Sequence, residues 1–250
     1  MNLVLFEQKE LAGDCLILND FRAEHIRTVL RLTVGDTLRT GMIDGRMGTG
    51  KIILMDAAEV VLNIQLTLPP PPAPDVELIL ALPRPIMLQR ILKQATVLGV
   101  RRIHLIRSAK VEKSFFQTPV LEPEKVRSLL LEGLVQAVDT RLPEVHIHRR
   151  FRPFIEDIVP ALPGQGLLAH PGLPAGLPEV CPAAEQKKNI LLAVGPEGGW
   201  NDFEVRCFLE QEFAGFSLGR RILHVDTAVT ALLAQLQVLR CPSPPYALME

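Results

Sequence analysis

Two short apolar runs, each followed by a glycine-containing loop and a helix signal, constrain the fold of this chain most strongly. Residues 190–194 are continuously apolar and end on a breaker, a pattern typical of a buried strand. The loop 195–199 follows, and Asn201 with Glu204 three residues later has the spacing of a helix capping box. A second apolar run, 213–218, leads into a glycine and another helix. Two adjacent units of this kind predict a ligand crevice at the carboxyl ends of the strands.

A run of prolines divides the sequence. Residues 69–74 read PPPPAP, which favours polyproline II and does not fit inside a helix or a central strand. After it, strand and helix signals alternate, which predicts a mostly parallel sheet with helices on both faces. We therefore expect an α/β fold with one domain at 1–68, a linker at 69–74 and a second domain at 75–250.

The segment before the linker predicts a small β-rich domain with one helix. Asp20 can cap a helix that runs to about Leu32. Asp44-Gly45 is a dipeptide favoured in type I′ hairpins, and it lies between two strand-like segments. Short strands with tight turns indicate a small barrel or sandwich.

Composition excludes several classes of protein. The chain has 250 residues, 48% of them hydrophobic, which is ample for a core, and no run approaches 18 apolar residues, so we expect no membrane span. The N-terminus lacks the basic-then-apolar layout of a signal peptide, which favours a cytoplasmic location. The four cysteines are far apart, so buried free thiols without a disulfide or a metal are expected at Cys15, Cys181, Cys207 and Cys241.

The net charge of −1 argues against a general polyanion binder, but the charge is segregated. Residues 84–113 carry eight lysines and arginines against one acid, Glu112. A basic surface of this kind could meet phosphates, and the alternative is a solvated face balanced by acids elsewhere in the fold. Composition does not decide between them.

Six motifs in a fixed order carry a family resemblance. They are HIRTVLRLTVGD (25–36), QRILKQATVLGVRRIHLIRSAKV (89–111), LLAHPG (167–172), GPEGG (195–199), SLGRRIL (217–223) and a threonine-containing helix start near residue 227. With them, the chain resembles the RsmE-like 16S rRNA (uridine-N3)-methyltransferases of the SPOUT class. The resemblance implies a SPOUT-type α/β domain with a trefoil knot, preceded by a PUA-like β-barrel that binds RNA. It also implies S-adenosylmethionine as cofactor, 16S rRNA or the small ribosomal subunit as partner, and a homodimer.

The resemblance also implies the cofactor-binding residues. The three loops that would form the pocket contribute Leu168, His170, Pro171, Gly195, Pro196, Glu197, Gly198, Gly199, Leu218, Gly219, Ile222 and Leu223. The glycines and Glu197 also have interpretations that involve no ligand. The glycines could serve only the geometry of turns, and Glu197 could be a surface carboxylate at the start of a helix. Trp200, the only tryptophan, could stack on a ligand or cover the pocket.

The catalytic end departs from the family, which usually has Arg-x-Glu-Thr where this chain has His224-Val225-Asp226-Thr227. His224 could accept the uridine N3 proton as a general base, with Asp226 fixing its tautomer. Arg221, beside the pocket, is the third catalytic candidate. The alternative is that His224 is only a hydrogen-bonded residue at a helix start, and that Asp226 is an ordinary N-cap.

Seven basic residues are candidates for RNA contact. Arg27 and Arg31 are four residues apart on one predicted helix face, which suits contact with a phosphate backbone. A solvated face is the alternative. The full set is His25, Arg27, Arg31, Lys110, Lys113, Arg141 and Arg220.

The expected function is S-adenosylmethionine-dependent RNA methylation, at N3 of a uridine in 16S rRNA. A second upstream departure weakens the substrate assignment, since Val135 and Asp139 stand where the family has an acid and an arginine. Three alternatives stay open: a diverged SPOUT methyltransferase that acts on another RNA position, a non-catalytic RNA-binding ribosome-assembly factor, and a small-molecule α/β enzyme with a nucleotide cofactor. The proline-linked barrel argues against the third.

Overall fold

The chain is a mixed α/β protein. The computed structural model describes residues 2–72, 75–181 and 189–240. Part of the predicted linker (Ala73 and Pro74) and the predicted thiol of Cys241 lie outside the described residues. Contacts divide the chain into two units, one of Met1–Ala73 with Ser128–Leu142 and one of Pro74–Arg127 with Pro143–Glu250.

The first unit contains a six-stranded sheet in the order β1-β4-β5-β6-β3-β2. Its strands are β1 (Val4–Phe6), β2 (Leu11–Ala12), β3 (Cys15–Leu18), β4 (Thr37–Met42), β5 (Met47–Met55) and β6 (Val60–Leu68). Strands β1 and β4 are parallel, and the other neighbours are antiparallel. Side chains alternate between the two faces, so Val60, Leu62 and Ile64 in the first half of β6 are buried while their neighbours are more exposed.

A hydrophobic cluster completes this unit with residues from much later in the chain. Helix α3 (Pro123–Ala137) contributes Leu134, which packs with Leu3, Leu5 and Met47. Thr140 donates a hydrogen bond from Oγ1 to the Gly45 carbonyl at 2.8 Å. The sequence did not predict that residues 128–142 join the N-terminal strands.

Two local predictions in this unit need correction. Asp20 caps α1 (Phe21–His25) as predicted, but the helix widens into a π-helical turn over Ile26–Leu30 and ends at Arg31, which is left-handed (φ 54°). At the hairpin only Asp44 is left-handed (φ 56°) and Gly45 is not, so the type I′ prediction is wrong. The Asp44 N–H donates to the Thr140 carbonyl at 2.7 Å, so a distant segment shapes this turn.

The second unit contains a six-stranded sheet in the order β12-β10-β11-β7-β8-β9, and every neighbouring pair is parallel. The predicted parallel sheet is therefore confirmed. Its strands are β7 (Val76–Ala81), β8 (Val100–Ile106), β9 (Glu144–His148), β10 (Gln165–Ala169), β11 (Ile190–Val194) and β12 (Ala214–Phe216).

Helices α2 (Pro85–Val97) and α7 (Val225–Arg240) pack against each other in this unit. Arg90 and Asp226 form an ion pair at 3.4 Å, and the Thr230 hydroxyl donates to Gln94 Oε1 at 3.0 Å. Among the described residues, the other α-helices of this unit are α4 (Phe151–Pro153), which continues as a π-helical turn over Phe154–Ile158, α5 (Leu177–Val180) and α6 (Asp202–Glu210). Short 3-10 helices are formed by Gln8–Glu10 in the first unit and by Lys113–Gln117, Pro119–Leu121 and Val159–Ala161 in the second. Within the described ranges, no helix is both long and apolar enough to cross a membrane.

A buried polar network crosses strands β7, β8 and β9. The His104 Nδ1 lies 3.1 Å from His148 Nε2, and the His104 Nε2 lies 3.3 Å from the Glu77 carboxylate. Burial opposes ionisation of Glu77, but the hydrogen bond with His104 and the charge of Arg102 lower its pKa below the usual value. Burial, together with the charges of His104 and His146, lowers the pKa of His148 to about 4. The network therefore holds His148 neutral near pH 7.

Candidate active site

A cavity of about 340 Å³, called here the cofactor cavity, lies at the carboxyl edge of the parallel sheet. Three loops enclose it, which follow β10, β11 and β12. The first residues of α7 form part of its wall, with Val225, Ala228 and Leu232 on one helical face. The lining is mostly apolar, with a few polar groups at its edge, as is usual for sites that bind small molecules.

The loop after β11 is held in place by the start of α6. The Asn201 side chain accepts from the Glu204 N–H at 2.8 Å, and the Glu204 carboxylate accepts from the Asn201 N–H at 3.0 Å, so the predicted capping box is confirmed. Glu204 is buried, and its other oxygen accepts from the Ala109 N–H at 2.7 Å. This carboxylate therefore ties the loops after β8 and β11 together.

Two further hydrogen bonds hold the same loop. The Glu197 carboxylate accepts from the Arg84 backbone N–H at 3.0 Å, just before α2 begins. The Lys110 ammonium donates to the Gly198 carbonyl at 2.7 Å. The Glu197 carboxylate therefore connects the loop after β11 to the start of α2. Lys110, predicted as an RNA contact, lines the cofactor cavity.

Backbone conformation requires glycine at one point in each of two loops. Gly199 (φ 69°) and Gly219 (φ 110°) are both left-handed, and a Cβ atom at either would meet no atom within 4 Å. Conformation, not crowding, therefore selects glycine at these two positions.

Two buried polar atoms at the cofactor cavity have no hydrogen-bond partner among the described residues: His170 Nδ1 and Trp200 Nε1. Burial, reinforced by the charge of Lys110, lowers the pKa of His170, so its ring is neutral near pH 7. Trp200 packs on Phe208 with ring centroids 5.1 Å apart. A ligand with polar groups suits this lining, because buried donors and acceptors are normally satisfied.

Eleven of the twelve predicted cofactor residues line the cofactor cavity. The exception is Leu168, which is fully buried within β10, while its neighbour Ala169 faces the cavity. The prediction missed Val194, Val225, Ala228 and Leu232. The last three lie at positions 225, 228 and 232, which face the same side of a helix. This spacing could have predicted from the sequence that they share one face.

A second cavity of about 370 Å³, called here the adjoining cavity, shares part of its lining with the first. Glu197, Ile222, Leu223 and Val225 line both, and the adjoining cavity adds Arg84, Met87 and His224. His224 is exposed and immediately precedes α7, where its carbonyl accepts from the Ala228 N–H at 2.8 Å. Its imidazole thus stands beside the cofactor cavity.

Asp226 is not directed toward His224. Its carboxylate lies 3.4 Å from Arg90 and accepts from the Thr227 N–H at 2.9 Å. Because α7 begins at Val225, Asp226 lies in the first turn of the helix and is not the N-cap. Among the described residues, Asp226 forms no hydrogen bond that would fix the tautomer of His224.

With this geometry in place, comparison with known proteins identifies the family. Residues 70–237 match the RNA methyltransferase domain family. Over 241 residues the chain is 32% identical to ribosomal RNA small subunit methyltransferase E of Treponema pallidum, covering 94% of this chain and 90% of that protein. The chain belongs to this methyltransferase E family. A relative of the same name from Synechocystis is 30% identical, covering 89% of this chain and 72% of that protein.

Solved structures agree with the methyltransferase E fold. A methyltransferase from Legionella pneumophila with bound S-adenosylmethionine superposes with a TM-score of 0.76 at 21% identity, covering 95% of this chain and 97% of that one. Ribosomal RNA small subunit methyltransferase E of Neisseria gonorrhoeae, also bound to S-adenosylmethionine, superposes with a TM-score of 0.74 at 20% identity. The match covers 95% of this chain and 98% of that one. At these identities the likeness concerns the fold.

The residues that the methyltransferase E resemblance suggested for RNA contact differ in their surroundings. Arg27 is used within its own unit, donating to the Asp56 carbonyl at 3.0 Å and pairing with Glu24 at 3.3 Å. Arg141 donates to the Pro71 carbonyl at 3.0 Å. The regular helix face predicted for Arg27 and Arg31 is interrupted, because Arg31 lies beyond the π-helical turn in a left-handed conformation.

The other candidates lie near the surface. His25 is half-buried, and Arg31, Lys113, Arg220 and Arg221 are exposed. Arg221 lines the cofactor cavity, whereas Arg220 lines neither cavity of the active site. Of the basic residues in 84–113, Arg102 pairs with Glu77 at 3.2 Å and with Glu144 at 2.9 Å, so part of that charge is neutralised within the fold.

The three cysteines that the structure describes line none of the cavities. Cys15, Cys181 and Cys207 form no disulfide and are half-buried, so they are less enclosed than predicted. In the parts of the chain that the structure describes, no group of three or more metal-ligating side chains could hold a metal ion.

Proposed function

We propose that this chain transfers the methyl group of S-adenosylmethionine to N3 of a uridine in 16S rRNA. The cofactor cavity carries the proposal, because eleven predicted cofactor residues from three loops enclose it. Family membership supports RNA as substrate, and the names of the relatives support the small ribosomal subunit.

The lining fits S-adenosylmethionine. The unpartnered His170 Nδ1 and Trp200 Nε1 can serve polar groups of the ligand, and the apolar side chains of Ile222, Leu223 and Val225 can pack on its adenine. Backbone amides and carbonyls of the loop 195–199 provide further hydrogen bonds near Gly198. When bound, this cofactor supplies an electrophilic methyl group on a sulfonium, a chemistry that requires no metal ion.

The adjoining cavity receives the target base in this proposal. His224 lies in its wall and accepts the N3 proton of uridine, which leaves N3 with an electron pair for the new bond to carbon. Arg221 lies at the edge of the cofactor cavity, where its guanidinium can orient the nucleotide. Asp226 on α7 forms an ion pair with Arg90 on α2. This contact positions the start of α7, which His224 immediately precedes.

The domain assignment extends the proposal. We take 1–68 as a PUA-like barrel that binds RNA, 69–74 as a linker and 75–250 as a SPOUT domain, with its C-terminal segments threaded as a trefoil knot. Contact of α7 with α2 and β11 supports a compact C-terminal region around the cofactor cavity. We further propose a cytoplasmic homodimer, whose mass light scattering would measure.

The test is transfer of labelled methyl from S-adenosylmethionine to undermethylated small ribosomal subunits, with mass spectrometry of the product nucleoside. We expect N3-methyluridine in 16S rRNA. Another methylated nucleoside would favour a diverged substrate. Cofactor binding without transfer would favour a non-catalytic assembly factor.

A further inference from the structure

A third cavity, of about 420 Å³, opens at the carboxyl ends of β8 and β9. We call it the arginine cavity, because Arg107, Arg149, Arg150 and Arg152 all line it. Of these four, Arg107 is half-buried and the others are exposed. The sequence prediction did not single out Arg149, Arg150 or Arg152, although RRFR at 149–152 is a local basic run with one aromatic residue.

The lining of the arginine cavity contains four arginines and one acid. Within residues 2–72, 75–181 and 189–240, none of the four guanidinium groups forms an ion pair. Glu204 is the only acid in the lining, and its two oxygens already accept from Ala109 and Asn201. Four such cations around one concave surface favour an anionic ligand.

Two of the arginines are positioned by aromatic rings. The Arg152 guanidinium lies 5.2 Å from the centre of the Phe203 ring, and that of Arg149 lies 5.4 Å from the centre of the Phe116 ring. Arg149 also donates to the Phe116 carbonyl at 3.4 Å. Stacking on a ring fixes the plane of a guanidinium while leaving its N–H groups available to a ligand.

Two independent features add hydrogen-bond donors at the arginine cavity. Ser108 is 1% exposed, lines the cavity, and its Oγ has no hydrogen-bond partner among the described residues. Helix α6 also begins here, with Asn201 and Phe203 in the lining, and the first N–H groups of a helix favour negative charge. A hydroxyl, four guanidinium groups and a helix start together suit phosphate oxygens.

The arginine cavity adjoins the cofactor cavity along the chain. Ala109 lines the arginine cavity and the next residue, Lys110, lines the cofactor cavity. In the same way, Trp200 lines the cofactor cavity and Asn201 the arginine cavity. An extended polynucleotide whose base enters the active site would therefore have neighbouring phosphates within reach of the arginines.

We infer that the arginine cavity binds the phosphodiester backbone of the RNA next to the methylated nucleotide. This rests on the proposed function for the identity of the nucleic acid. None of the seven residues first considered for RNA contact lies in this cavity. The arginines touch no reacting atom, so they bind substrate without taking part in the chemical step.

The test compares binding of a 16S rRNA transcript by the full chain and by an Arg150→Gln/Arg152→Gln variant across a salt series. We expect the variant to bind at least about tenfold more weakly, and the slope of log K against log salt to fall by about 1.4–1.8 for two lost phosphate contacts. The KM for RNA should rise while kcat stays close to that of the wild type. The Kd for S-adenosylmethionine, measured by calorimetry, should not change.

An Arg101→Gln/Arg206→Gln variant is the matched control, because it removes two exposed arginines of the same unit that line none of the three cavities. It should keep most of the affinity and slope. If the double substitution perturbs folding, the single Arg150→Gln variant should still show about half of the slope change.

Equal slopes for the two double variants would overturn the inference, and so would a wild-type chain that does not bind the transcript. A thermal-shift titration with inorganic phosphate tests whether the arginine cavity binds free phosphate instead of the phosphates of RNA. Phosphate stabilisation that disappears in the variant while RNA affinity is unchanged would assign the cavity to a free phosphate and end the RNA assignment. If wild type binds the transcript without methylating it, the proposed function fails, but the salt slopes still test this inference.

Discussion

The two glycine loops of the cofactor cavity are built in different ways. The loop 195–199 is held by Glu197 to Arg84, by Lys110 to Gly198, and by the capping box of α6. The segment 219–224 is exposed throughout, and Ile222 is 77% exposed. Within the described residues, its only hydrogen bond is the one from the Ala228 N–H to the His224 carbonyl.

This difference separates two tasks. A loop that is already held by the fold binds a ligand without a large ordering cost, whereas an exposed segment with few contacts becomes ordered mainly through what it binds. We therefore expect the loop 195–199 to contribute to folding stability and the segment 219–224 to binding and reaction.

The largest effect is expected at the exposed segment, from His224→Ala. Removal of a general base should slow methyl transfer by about 10²–10⁴-fold while S-adenosylmethionine binds with unchanged affinity. Single-turnover transfer and calorimetry measure the two quantities. The control is His146→Ala, which removes an exposed histidine that lines none of the cavities. Wild-type rates from His224→Ala would remove His224 from the mechanism.

In α6, which holds the loop 195–199, Glu204→Ala should cost about 3 kcal/mol of unfolding free energy, because two backbone N–H groups lose a buried charged acceptor. Urea denaturation measures this value. Asp202→Ala is the control, since this neighbouring acid is exposed, and it should change stability by less than about 1 kcal/mol. If both variants were equally stable, Glu204 would not tie the loops together.

The sheet below the loops should depend on pH through His148. Its pKa is about 4 in the fold and near 6.5 when unfolded, so the unfolded chain binds the proton first and stability falls as pH drops from about 6.5 to about 4. Allowing for its partial exposure, we expect a loss of about 1–2 kcal/mol. Denaturation at several pH values should show a flatter profile for His148→Gln. A profile as steep as that of the wild type would assign the loss to other groups, such as Glu77.

The two left-handed glycines give the most direct comparison of the loops. Gly199→Ala should lower the unfolding free energy by about 1–2 kcal/mol, because the held loop cannot leave the left-handed conformation. Gly219→Ala should leave stability nearly unchanged and weaken S-adenosylmethionine binding by about tenfold, since the strain arises only when the segment is ordered. Denaturation and calorimetry on both variants decide this, and a reversed pattern would contradict the division of tasks.

The smallest effect is expected from Asp226→Asn. The ion pair with Arg90 is partly exposed, so its loss should cost less than about 1 kcal/mol and change the transfer rate by less than about threefold. Arg90→Gln should behave alike, because it removes the same contact from the other side. A rate loss of tenfold or more in Asp226→Asn alone would return Asp226 to the reaction as a partner of His224.

Local patterns predicted the parts of the molecule that depend on local physics. The apolar run 190–194, the capping box at Asn201 and the alternation that produces a parallel sheet were all readable from the sequence. Family resemblance, rather than periodicity, predicted eleven of the nineteen residues that line the cofactor cavity. Leu168 does not line the cavity, although the resemblance predicted that it would. Adjacent residues of a strand face opposite sides, so a prediction shifted by one position selects Leu168 instead of Ala169.

Features that depend on distant contacts were not predictable. The turn at Asp44 is shaped by Thr140, and the carboxylate of Asp226 is held by Arg90, both far away in sequence. The arginine cavity combines Arg107, the run 149–152 and the start of α6, which lie in three separate segments. Each segment alone is an ordinary basic or helical stretch.

The first unit is assembled from two separate pieces of chain, and this has a consequence during synthesis. Its cluster of Leu3, Leu5 and Met47 is completed by Leu134, and residues 128–142 are made long after the strands. At translation speeds of about 5–20 residues per second, the roughly 70 residues between Ala73 and Leu142 take roughly 4–14 s to add. During that interval the nascent strands carry an uncovered apolar patch, so a ribosome-bound chain stopped near residue 73 should be markedly more sensitive to protease than one stopped after the whole of α3 has emerged.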